Sequence, residues 1–234
     1  MKTIVFLMLA SLGNAGACSA DPANLLADGV EIEARSVLAA LLQFGYERGV
    51  CLGIEAPGLD LLQEPVQLHF AHSTVGEVVR TLLNEKPYRI SEEGRVIVIR
   101  SAESASRFTQ LDATIPEFKM APGTSLGWAE VRLFIEIRIA ADPSLRSTGF
   151  AGSILGEQPE IGPIEEYERS AREILTIMAS QVGGAWVSGL CPAARDLPSR
   201  PCWNVIPYGS NSELFRDLAN LRVSERLAER SSLK

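Results

Sequence analysis

A helix signature that occurs twice limits this chain more than any other feature. Thr74-Val75-Gly76-Glu77 sets a hydroxyl residue three positions before a glutamate. This is a capping box, in which the first side chain covers a free helix amide and the glutamate reaches back to the cap residue's own N–H. Val75, Val78, Val79, Leu82 and Leu83 then form one apolar stripe, and Pro87 stops the helix. Ser170-Ala171-Arg172-Glu173 opens a second helix in the same way. Laid on the first, Thr74/Ser170, Glu77/Glu173, Val78/Ile174, Val79/Leu175 and Leu82/Met178 coincide. Each helix leads into an aromatic strand, at Tyr88 and at Trp186, and each strand has a return partner, residues 95–99 and 203–206. A helix with one apolar stripe must bury it against another layer, so the pattern predicts two sheet-and-helix units.

The rest of the first half fits that plan. Val30, Ile32 and Ala34 alternate with Glu31, Glu33 and Arg35, the period of a half-buried strand. Ser36 caps a helix whose Leu38, Leu41, Leu42 and Gly45 share a face, and Gly49 ends it. Residues 50–54 read as a second strand, Pro57 and Gly58 as a loop, and 66–70 as a third strand. A turn over residues 91–94 completes a hairpin, giving the order β-α-β-β-α-β-β. Residues 101–107 read as a linker.

In the second half, strands are expected at 114–120, 150–155 and 160–168, and the final hairpin has a longer loop. Val131, Leu133, Ile135, Ile137 and Ile139 alternate with Arg132, Phe134, Glu136 and Arg138 in a strand period. The length of segment 125–141, its lack of turn residues and its place in the repeat predict a helix instead. The expected fold class is α+β: two small units of β-α-β-β-α-β-β type, each with two helices packed on short mixed sheets. Their expected bounds are 21–101 and 108–208. A C-terminal helix and tail occupy 209–234, with Ser212 as cap and Leu214, Phe215, Leu218 and Leu221 on one face.

Lys2, the apolar run 4–12 and the small residues Asn14, Ala15, Gly16 and Ala17 have the form of an export signal over residues 1–20. The run is too short to span a bilayer, which takes roughly 20 apolar residues. Cleavage after Ala17 and after Ala20 both remain open. Ala15-Gly16-Ala17-Cys18 is similar to a lipoprotein box, with Ala15 where leucine is usual. Cys18 is therefore either a lipidated first residue or part of a plainly secreted chain. In an oxidising compartment Cys191 and Cys202 are natural disulfide partners across a proline-rich loop, and such a bridge contributes on the order of 3 kcal/mol. Cys51, within Val50-Cys51-Leu52, is expected to be a buried thiol.

The segment from Val30 to Arg100 resembles the secretin and TonB short N-terminal domain. The resemblance rests on Leu41-Leu42, on Val66-Gln67-Leu68-His69-Phe70, on Thr74 with Glu77, on Leu82-Leu83, and on the alternating Val/Ile of the final hairpin strand, residues 95–99. It implies a periplasmic or outer-membrane-associated domain that binds another envelope protein and performs no chemistry. The second half looks like a diverged copy. No secretin pore or TonB-dependent barrel follows up to Lys234, so the resemblance extends to fold, compartment and protein binding, not to transport or secretion.

Catalytic readings find little support. Gly123-Thr124-Ser125-Leu126-Gly127 matches a nucleophile elbow, but both histidines, His69 and His72, precede the serine, and a hydrolase of that fold needs its histidine after it. Thr124 or Ser125 as a helix cap explains the residues better. His69 and His72 point to opposite faces of a strand, so they do not suit one metal ion. Glu92-Glu93 and Glu165-Glu166 sit in polar, turn-like stretches. The net charge of −7 disfavours a nucleic-acid partner. The expectation is an exported interaction module with no cofactor and no metal. The alternatives are a hydrolase using carboxylates in an inter-domain cleft and a periplasmic binder of small ligands.

Overall fold

The structure is a computed structural model that describes residues 18, 21–55, 61–62, 64–84, 86–101, 109–147, 158–188 and 203–208. Several expectations fall outside these residues: the leader, the Pro57-Gly58 loop, most of the linker, the strand at 150–155, the Cys191–Cys202 bridge and the C-terminal helix and tail.

The chain is α+β. β1 (Val30–Ala34) leads into α1 (Val37–Arg48), whose cap Ser36 accepts the Ala39 N–H at 3.1 Å and whose end is turned by left-handed Gly49. β2 (Cys51–Glu55) follows, then β3 (Val66–Phe70) and α2 (Val75–Leu82) with its capping box formed on both sides. β4 (Tyr88–Glu93) and β5 (Val96–Ser101) make a hairpin. Its turn is only Gly94 and Arg95, with Gly94 at φ 62°, so Ser91, Glu92 and Glu93, expected in the turn, are paired strand residues instead. Glycine with positive φ at the first turn position matches the twist of the flanking strands.

In the second half β6 (Thr114–Met120), β7 (Thr124–Ser125) and α3 (Leu126–Ala141) precede β8 (Glu160–Ile161) and β9 (Ile164–Ser170). Then come α4 (Ala171–Val182), again with a complete capping box, and the hairpin strands β10 (Gly184–Ser188) and β11 (Trp203–Pro207). Segment 126–141 is a helix despite its alternating pattern, because it is apolar on two sides. Leu126, Ala129, Leu133 and Ile137 are buried, while Trp128, Val131 and Ile135 line an outer groove.

Thr74 and Ser170 occupy corresponding settings. Each follows a strand paired antiparallel with the first strand of its half, β3 with β1 and β9 with β6. Each opens a helix that leads to a hairpin. Both hairpins enter one five-stranded sheet, in the order β11-β10-β2-β5-β4, where β10 runs parallel to β2 and β2 parallel to β5. The sheet therefore crosses the 101–108 boundary.

That sheet is the wall between two cores. Leu52, Ile54, Ile97, Ile99, Ala185, Val187 and Ile206 face α1, α2 and the β1–β3 ribbon. Cys51, Val96, Val98, Trp186 and Val205 face α3, α4 and β6. With both faces covered, the strands read as continuous apolar runs rather than alternating ones. Gly53 lets the largest of these side chains fit: a Cβ there would lie 2.5 Å from the Trp186 ring. The buried indole N–H is satisfied by Thr176 Oγ1 at 3.3 Å.

Candidate functional site

The residues with catalytic possibilities lie apart. Ser125 Oγ accepts the Trp128 N–H at 3.4 Å as the cap of α3. His69 is exposed on β3 opposite Glu31, and His72 lies beyond the strand, 3.3 Å from Asp28. Among the described residues no three His, Cys, Asp or Glu side chains gather as a metal site. The acidic pairs are in strands rather than turns, and each has a partner. Glu93 ends β4 and pairs with Arg100. Glu165 and Glu166 are on β9, where Glu165 accepts the Tyr167 hydroxyl at 2.6 Å and Glu166 pairs with Arg169 at 3.0 Å. The Tyr167 hydroxyl first, and Lys119 second, hold Glu165 below the usual carboxylate range.

Charged groups converge instead at the end of the shared sheet. Glu55, the last residue of β2, is 3% exposed and receives the Arg172 guanidinium through Nε at 2.9 Å and the second nitrogen at 3.1 Å. Arg172 also bonds Asp112, and Arg100 Nε stands 3.8 Å from Glu55. Burial works against the Arg172 charge, but Glu55 and Asp112 outweigh it and raise its pKa above the ordinary arginine value. A buried carboxylate gripped by a planar fork ties β2 of the first half to α4 of the second.

The two edges of the sheet differ. Hydrogen-bonding direction alternates along a strand. On β11, Val205 turns its N–H away from β10 and donates it to Glu130 Oε1 at 2.8 Å. Pro207 shares that outward direction and has no N–H. Two of the three outward positions on this strand are thereby closed, with Trp203 the third. Burial raises Glu130 to about 7, with the Val205 N–H pulling the other way. On β4, the Glu93–Val96 pair beside the turn is hydrogen-bonded, so Tyr88, Ile90 and Glu92 face outward. Among the described residues no strand pairs with this side. Tyr88 N–H is taken by Lys86 O at 2.7 Å, which leaves Ile90 and Glu92 as the central outward positions.

A second surface feature is an open groove of about 450 Å³ between β6 and α3, lined by Met120, Trp128, Val131 and Ile135 with Lys119 and Arg132 at its rim. Trp128 is 53% exposed there. Lys119 is engaged already, 2.7 Å from Glu117 and 4.9 Å above the Tyr167 ring.

The cysteines correct the sequence reading. Cys51 is buried as expected but is not a free thiol: it forms a disulfide with Cys18, with Cα atoms 5.6 Å apart. Nothing in the spacing of these cysteines announced the pair, nor Glu130 as an edge cap. An acid closing the apolar run of β2 was the one visible sign of the Glu55–Arg172 pair. Comparison with family models, curated proteins and solved structures gave no match.

Proposed function

We propose that this chain is an exported protein-binding module of the cell envelope, without catalytic activity, that takes an extended segment of another envelope protein onto β4. The open β4 edge carries this reading, set against the capped β11 edge. An unpaired edge is a template for strand addition, with main-chain bonds giving affinity and alternate side chains giving selectivity. Tyr88 and Ile90 pack partly against the core and offer apolar neighbours on one face. Arg89 and Glu92 are exposed and set a charge pattern along the strand. The β-α-β-β-α-β-β order over residues 30–101 supports kinship with the secretin and TonB short N-terminal domain. The separation of serine, histidines and acids supports a binding role over hydrolysis.

Glu92→Pro tests the reading, because it removes an outward N–H and leaves the bonds to β5 in place. Thermal stability should change by less than about 1 kcal/mol. Capture of the envelope partner that the wild-type protein retains should fall at least tenfold. Undiminished capture by a folded Glu92→Pro protein would refute strand addition at β4.

A further inference from the structure

Cys18 stands before the first strand of the first half, yet it is 2% exposed inside the core of the second half. Its Sγ lies 3.7 Å from Ser180 O, and Cys51 Sγ lies 3.7 Å from Ala179 O, so both sulfurs sit beside the last turns of α4. Cys51 opens β2, the middle strand of the sheet. The bridge thus pins Cys18 across the sheet, under a helix of the opposite half. A few residues later in the chain, Ala23 O accepts the Gly76 N–H at 2.9 Å at the start of α2. Cys18 and Ala23 thus each touch a helix, one in each half.

This arrangement decides between the two cleavage positions and the two fates of the sulfur. We infer that the export leader is removed before Cys18, after the small residues Ala15-Gly16-Ala17, and that Cys18 is oxidised with Cys51 rather than lipidated. Cleavage after Ala20 would discard Cys18 and leave Cys51 as an unpaired thiol in an apolar core. Lipidation forms a carbon–sulfur bond at Sγ and excludes the bridge. The bridge forms by thiol–disulfide exchange with a protein or small-molecule disulfide of an oxidising compartment. The Cys18 thiolate attacks that disulfide and releases one thiolate. The Cys51 thiolate then attacks the mixed disulfide and releases the second. The donor is reduced by two electrons, and the two cysteine protons go to solvent. The inference rests on the export reading above, and its test separates the two.

The full chain, leader included, is expressed in a bacterial host, and the protein is alkylated without reductant. Its intact mass and disulfide-linked peptides are then read. The expected protein begins at Cys18, carries no acyl chain, and yields a linked peptide pair holding Cys18 and Cys51. Cys51→Ser should start at the same residue and gain one alkyl group, at Cys18. A protein starting at Asp21, an acylated Cys18, or alkylation of both cysteines in the wild-type chain would overturn the inference while leaving export intact. A chain that keeps Met1 would overturn both.

Discussion

Each half of the chain ends in a hairpin laid into the same sheet, but the two hairpins finish it differently. The second half closes its side: Glu130 takes the outward N–H of Val205, and Pro207 has none to offer. In the first half no strand among the described residues pairs with the outer side of β4. Side chains and prolines at an edge are how sheet proteins avoid uncontrolled pairing, and β4, at the opposite end of the sheet, shows neither device at Ile90 and Glu92. Correspondingly placed hairpins thus end the sheet differently, and the proposed strand addition uses the first half's edge while the second half closes the other.

The largest effect should come from removing the largest side chain buried on the shared sheet. Trp186 fills the second core against Gly53 of the first half, so Trp186→Ala should cost about 3–5 kcal/mol. Because the sheet is common, denaturant unfolding should remain one cooperative transition. Two separated transitions would mean the halves are independent supports. Arg172→Leu comes next. It strands the buried Glu55 carboxylate, and the expected loss is about 3 kcal/mol, with partial recovery when Glu55→Gln is added. Additive losses in the double variant would show that the pair does not join the halves.

A smaller effect belongs to the capped edge. Glu130 titrates near 7 in the folded protein against an ordinary 4.5. Between those values the folded chain binds more protons than the unfolded one, so this group's contribution lowers stability as pH rises through the window, and the full cost applies above 7. Glu130→Gln keeps an acceptor for Val205 and removes the charge. It should match the wild type below pH 5 and exceed it by about 1–2 kcal/mol at pH 8 in thermal unfolding. An unchanged pH profile would mean the carboxylate is not enclosed over β11.

The helices and first-half strands were legible because their signals are local. A hydroxyl three residues before a glutamate, a stripe of Val and Leu, and a left-handed glycine act within one turn and depend little on the rest of the fold. Segment 126–141 shows where local period misleads: a helix apolar on two sides spreads its Val and Ile around the axis and mimics a strand. The joining features were hidden for a different reason. Glu55 meets Arg172, Cys18 meets Cys51 and Glu130 meets Val205 only after the sheet has assembled, and no spacing in the chain encodes such meetings. The acidic pairs misread as turns are strand residues, and two of their partners, Arg100 for Glu93 and Lys119 for Glu165, come from neighbouring strands.

Backbone amide hydrogen exchange, measured on the mature protein alone and with its captured envelope partner, tests the difference between the edges most directly. If β4 is the docking edge, Ile90 and Glu92 exchange rapidly in the free protein and become protected on binding, while Val205 is protected in both states. Protection that leaves Ile90 and Glu92 untouched, or that arises at β11 instead, would contradict it.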